Sequence, residues 1–306
     1  MNEDYLWDHT GEPDPETVRL EHLLGPLKYQ GATRRRPRSL AVWWLAAAAA
    51  LVGGVFAMPL LWRGPLTNWQ LQDGVRMRAG QTIETGAANE VKIQSSETGE
   101  VMIDPGSRFR LVAANGREQR FDLQRGTIHA FIWAPPGRFV VDTPSSKTID
   151  LGCRYALQVS KDGNGLLTVE IGWVAFERNN VESFIPAGAA CVTRPGKGPG
   201  TPYFSDAPEV LTNALARFDT SADAIALDTV IASARDRDAL SLWHLMSRTH
   251  GDARARVFDR FASLVSLPSG VTLEAILRGE GKAIDAAWDA LGLGNTDWWR
   301  EWRKPW

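Results

Sequence analysis

Cysteine is nearly missing from this chain: 306 residues hold only Cys153 and Cys191. Neither stands in a CxxC or Cys/His spacing, which excludes a zinc module. An excess of one charge is missing too. Lys and Arg number 34 against 36 Asp and Glu, a formal net charge of -2, and with a pI near 6.2 a generally basic nucleic-acid binder is excluded. There is no GxSxG and no HExxH. The Gly/Pro-rich stretch around Lys197 has no Ser or Thr after its Gly-Lys, so it reads as a flexible linker and not as a phosphate loop. His244 and His250 lack a carboxylate at metal spacing and read as helix-surface residues, while His129, alone in TIHAFIW, reads as a packed side chain. No catalytic residue, cofactor site or metal site is assigned, and the chain is not expected to be an enzyme.

Ionisable side chains are wholly lacking from residues 39 to 62. A helix of that length covers about 36 Å at 1.5 Å per residue, enough for a hydrocarbon core of about 30 Å. The segment opens at Ser39, carries Trp43 and Trp44 near one end and Pro59 and Trp62 near the other, and predicts a transmembrane helix with aromatic belts. Arg34, Arg35, Arg36 and Arg38 crowd its N-terminal flank, whereas only Arg63 follows it. The positive-inside rule then predicts a single-pass protein of a bacterial inner membrane, with a cytoplasmic N-terminus and the bulk of the chain in the periplasm. The bilayer is its first expected partner.

The tail before this segment, residues 1 to 33, is acidic. Asp14 before Pro15 reads as a helix cap, and Leu20, Leu23 and Leu24 give one apolar stripe before Gly25 and Pro26 end the run. A helix this short is marginal alone. Two readings stand: a disordered tail, or a docking peptide in which Trp7, Leu20, Leu23 and Leu24 meet a cytoplasmic protein.

From 70 to 203 the apolar period changes to two. VKIQ, VMID, FRLV, FDLQ, TIHAFIW, RFVVDT, YALQV and LLTVEIGWVAFE are short Val/Ile/Phe-rich runs bounded by Gly, Pro, Asn or Asp, which predicts an all-β domain. Asn115-Gly116 and Asp162-Gly163 have tight-turn composition. Both cysteines sit at edges of these runs, so a Cys153–Cys191 disulfide and two buried thiols are both open. Residues 206 to 306 turn helical. Leu211, Leu215 and Phe218 share one face, Val257, Phe261 and Leu264 another, and Thr272 is a candidate cap. Helical hairpins of this length predict a HEAT-like all-α domain; a simple cover over the β domain is the alternative. The chain ends in NTDWWREWRKPW, whose Trp298, Trp299, Trp302 and Trp306 are expected to fold back on the protein, with a membrane surface or a partner as other destinations.

Six segments of the β region together resemble the FecR domain of bacterial membrane regulators: GQTIETG (80 to 86), VMIDPGSRFRLV (101 to 112), LQRGTIHAFI (123 to 132), RFVVDTPSSKTIDLGCRYALQV (138 to 159), LLTVEIGWVAFE (166 to 177) and IPAGAACVTRPG (185 to 196). The resemblance implies an anti-sigma-like regulator that senses in the periplasm. It would meet a periplasmic or outer-membrane protein there and control an extracytoplasmic-function sigma factor, or a similar cytoplasmic regulator, through its N-terminal tail. The residues themselves also fit a non-catalytic envelope scaffold. The expected fold class is therefore a membrane-anchored, multi-domain chain with one transmembrane helix, a FecR-like β domain and a helical C-terminal domain.

Overall fold

The structure is a computed structural model, and it describes residues 14 to 27 and 66 to 294. Among these no helix is long and apolar enough to cross a membrane. The transmembrane element is therefore removed from the expected fold class, which becomes a large β domain followed by helices. The segment that suggested it, with Ser39, Trp43, Trp44, Pro59 and Trp62, lies outside the described residues, as do Trp7 and the tryptophan-rich C-terminus.

The chain divides into two compact units, residues 1 to 60 and 61 to 306. In the first, helix α1 (Pro15–Leu24) begins where the sequence places it. Asp14 is in an extended conformation and its Oδ1 accepts the Glu16 amide at 3.0 Å, satisfying one of the amides a helix start leaves open. A 3-10 turn, Gly25–Leu27, follows.

The second unit opens with sixteen strands among the described residues. They are β1 Leu66–Leu71, β2 Arg76–Arg78, β3 Thr82–Glu84, β4 Val91–Ser95, β5 Gly99–Ile103, β6 Arg108–Ala114, β7 Gln119–Ile132, β8 Phe139–Asp142, β9 Lys147–Asp150, β10 Arg154–Val159, β11 Gly165–Ile171, β12 Trp173–Arg178, β13 Val181–Pro186, β14 Ala189–Arg194, β15 Gly198–Pro199 and β16 Tyr203–Phe204. Strand β7 is the hinge of this fold. Its first half pairs with β6 and, in parallel, with β8; its second half pairs with β5 and β10. Gly126 marks the change of partner at φ +95°, and a Cβ there would lie 2.1 Å from Ser107 Oγ, so only glycine fits. Two sheets meet at this strand. Trp69, Phe109, Phe121 and Phe139 fill the space between them, with the Trp69 and Phe121 rings edge-on at 5.1 Å and Phe109 stacked on Phe121 at 4.8 Å.

The stretch around Lys197 is not a linker. It is the β14–β15 hairpin, closed by the Lys197 amide on the Arg194 carbonyl at 3.1 Å with Arg194 opposite Gly198. Helices α2 (Glu209–Ser221), α3 (Ala224–Ser233), α4 (Ala239–Arg248), α5 (Gly251–Leu264), α6 (Leu273–Leu277) and α7 (Gly281–Asp289) follow. Asp223 caps α3 by accepting the Ile225 amide, and Thr272 caps α6 by accepting the Ala275 amide. The helices share one continuous apolar core with the strands. At the seam Trp173 and Phe184 stack at 5.0 Å, and Trp288 meets Phe184 at 5.1 Å and Trp243 at 4.8 Å.

Candidate functional site

Of the residues assigned to a docking tail, Leu20, Leu23 and Leu24 are described. All three are exposed, Leu23 at 64%, and α1 buries none of its residues. An apolar stripe left in water on a capped helix is the arrangement a partner groove would fill.

Within the second unit the polar groups concentrate at the seam between β13 and α4. Strand β13 is the last strand of its sheet, and α4 lies against it. His244 is 2% exposed; its Nδ1–H donates to the Leu240 carbonyl at 2.9 Å, and its Nε2 accepts the Phe184 amide at 3.0 Å. These two bonds require the neutral Nδ1–H tautomer. One turn on, Arg248 donates to Ser183 Oγ at 2.6 Å, to the Glu182 carbonyl at 3.3 Å and to Thr201 Oγ1 at 3.0 Å, and faces Asp219 at 3.4 Å. Asp219 in turn accepts the Thr201 amide and hydroxyl, each at 2.7 Å. The ion pair is thus largely buried and, apart from Arg248 Nε, hydrogen-bonded, close to the condition under which a buried pair is tolerated. His244 is therefore not a helix-surface residue. Its apolar neighbours Leu240, Leu245 and Met246 on α4 were the available signal.

A second buried cluster lies at the end of β9. Asp150 is 1% exposed, accepts the Gly152 amide at 2.7 Å and receives the Cys153 thiol. The Tyr155 hydroxyl is buried beside them with no hydrogen-bond partner. Burial pushes the Asp150 carboxyl up to about 7, against the pull of its two donors. Burial and the Asp150 charge raise Cys153 and Tyr155 well above their usual ranges. Sequence reasoning missed this cluster, because Asp150 before Leu-Gly looks like an ordinary turn residue.

Cys153 and Cys191 are both buried and free, the second of the two arrangements left open by the sequence. Cys153 precedes β10, whereas Cys191 on β14 lies opposite Leu167 of β11, and β11 separates the two strands. Two strand spacings and a five-residue offset put the cysteines roughly 15 to 20 Å apart, far beyond disulfide reach. Cys191 instead donates to the Gly200 carbonyl at 3.2 Å, and burial pushes its thiol to about 12. Such thiols are inert as nucleophiles.

Two hollows remain. An open groove of about 520 Å³ beside α5 and α6 is lined by Phe258, Leu264, Val265, Leu267 and Val271. A smaller one of about 200 Å³ holds Asn68, Glu97, Asn115, Gln119 and Arg138. Its polar groups bond one another: Asn68 donates to Glu97, Gln119 to the Asn115 carbonyl and Arg138 to the Gly116 carbonyl. His129 is not packed in the core but half exposed, 3.2 Å from Asp104. Among the described residues no three His, Cys, Asp or Glu are grouped to hold a metal ion.

Residues 81 to 175, which run from the turn before β3 into β12, match the family model described as FecR protein. The resemblance read from the motifs holds over that stretch of the β domain, and the sixth motif, 185 to 196, lies beyond it. Two crystal structures of a candidate anti-sigma factor from Parabacteroides distasonis, at 1.65 and 2.50 Å resolution, are similar to this chain at 13% identity and a TM-score of 0.37. The similarity covers 44% of this chain and 64% of theirs, so less than two thirds of their length is spanned. No curated protein matches.

Proposed function

We propose that this protein is a FecR-like, non-enzymatic regulator that works by protein contact. In this reading the β and helical domains sense a partner and α1 docks on a sigma factor or a similar regulator. The FecR match supports the class, and the exposed stripe of Leu20, Leu23 and Leu24 supports the docking element. Burying three leucines in a partner groove contributes about 1.5 to 3 kcal/mol each. Together they give at most about 9 kcal/mol, of which association takes about 4 kcal/mol or more, so micromolar affinity needs further contacts from the tail besides these leucines.

The test is co-purification of the full chain with an extracytoplasmic-function sigma factor of the same genome, paired with a transcription reporter for that factor. Leu20→Glu with Leu24→Glu should abolish binding and change reporter output while leaving the rest of the fold intact, since neither side chain is buried. If the double variant binds and regulates as the parent does, α1 is not the docking element. If the parent neither binds nor regulates, an envelope scaffold is the better account.

A further inference from the structure

The outward face of the sheet formed by β5, β7, β10 and β11 carries large apolar groups that the fold leaves uncovered. Across these strands Glu100, Phe131, Arg154 and Ile171 stand in register. Trp133 follows at the end of β7, 49% exposed, and Ile171 is 53% exposed. The Trp133 ring is held in place: its Nε1–H donates to the Ser96 carbonyl at 3.1 Å and its edge meets Phe131 at 5.6 Å. Ile171 reaches this face through a β-bulge, because Arg154 pairs with Ile171 while Tyr155 pairs with Val169, which leaves Glu170 as the extra residue. A bulge of this kind re-aims side chains, and here it turns both Glu170 and Ile171 to solvent.

The charges on this face are incomplete in a specific way. Lys92 and Glu100 pair with each other at its rim, at 2.6 Å. Arg154 lies over the Phe131 ring, 4.5 Å from its centroid. Among the described residues neither Arg154 nor Glu170 has an ion-pair partner. The face therefore offers a fixed aromatic anchor, an aliphatic neighbour, a cation already stacked on an aromatic ring and an open carboxylate.

A twofold dimer interface has to be complementary to itself, and a face with one open charge of each sign beside an apolar centre meets that requirement. We infer that this face is where two copies of the chain meet, about a twofold axis lying between β10 and β11. Each Arg154 then faces Glu170 of the other copy, Ile171 lies beside the axis, and β7 with Trp133 lies over β14 of the other copy. The net charge of -2 opposes such an association only weakly. Four strands about 4.8 Å apart and some seven residues at about 3.3 Å give a face of roughly 400 Å² per copy. Two such faces fall below the size of a standard interface, so the dimer is weak. This inference is independent of the sigma-factor reading, since α1 plays no part in it.

Sedimentation velocity of the full chain from about 1 to about 300 µM reads the association directly. The expected result is a concentration-dependent shift from the 33.7 kDa monomer toward twice that mass. Trp133→Ser and Arg154→Glu should each weaken dimerisation at least about tenfold. Arg154→Glu combined with Glu170→Arg should restore it, because the charges are exchanged and not lost. All three positions are exposed, and circular dichroism confirms that the variants fold. A chain that stays monomeric throughout overturns the inference, as does a dimer that ignores Trp133→Ser and Arg154→Glu or a double exchange that stays dissociated.

Discussion

Replacing Asp150 by Asn should make the β domain more stable at neutral and alkaline pH and remove much of its pH dependence. In the folded protein this carboxyl is buried between β9 and β10, and its value rises from 3.8 to about 7. A raised value means that the folded state holds the proton more tightly than the unfolded chain does. The stability this confers is fully present below about pH 4, where both states are protonated. It is lost as pH rises through about 7, where the folded carboxyl must ionise without a cation beside it. A shift of about 3 units at about 1.36 kcal/mol each sets the scale at up to about 4 kcal/mol between these limits. Asparagine keeps the oxygen that accepts the Gly152 amide and carries no proton to lose. Urea unfolding followed by tryptophan fluorescence, at steps from about pH 4 to about pH 8, gives the comparison. The parent should lose stability across this range relative to Asp150→Asn, and the two should converge at the acid end. If the difference between them is constant with pH, or if the Asn variant is the weaker one at pH 8, the carboxyl is not buried as described.

Two further outcomes test other parts of the structure. His244→Phe keeps a ring in the seam but leaves the Phe184 amide without its acceptor; it should lower stability by about 1 to 3 kcal/mol, read as a drop in melting temperature, while His244→Gln should recover part of the loss. Both cysteines should titrate as thiols in denatured protein and resist titration in native protein, and a reducing agent should leave the melting temperature unchanged; a reductant-sensitive melt would reinstate the disulfide.

The β domain was legible because alternation is a local property. Val101, Ile103, Phe109 and Leu111 repeat at period two and face the core, so the strands and their sandwich-like layering could be read one at a time. What failed was whatever depends on which strands become neighbours. FDLQ and TIHAFIW read as two strands because Gly126 stands between them, yet that glycine only bends the single strand β7. The Gly/Pro composition around Lys197 suits a linker and a tight hairpin equally, and only its pairing with β14 decides. The cysteines show the same limit: spacing along the chain says nothing of an intervening strand. Asp150 is buried because β9 is enclosed by β8 and β12, and no window of sequence around it records that.

The seam explains why this β domain carries its helices. A terminal strand such as β13 presents backbone amides and carbonyls that can pair with any passing strand, and proteins blunt such edges by shortening, charging or covering them. Strands β2 and β3 are three residues long and alternate exposed polar with buried apolar side chains. Strand β13 is six residues long and ends in the apolar run Phe184-Ile185, so shortness does not protect it. Protection comes from α4, whose His244 takes the Phe184 amide and whose Arg248 takes the Glu182 carbonyl, one helical turn apart. The i, i+4 spacing of a helix, about 6 Å, is close to the 6.6 Å between alternate residues of a strand. Two polar side chains on one helical face therefore meet the edge groups of alternate strand residues. The Trp243 and Trp288 rings seal the same junction from water, which strengthens these bonds by lowering the local dielectric. Opening the helical domain would thus expose an apolar strand edge and a buried ion pair together, so the seam favours a closed arrangement of the two parts over a loosely tethered one.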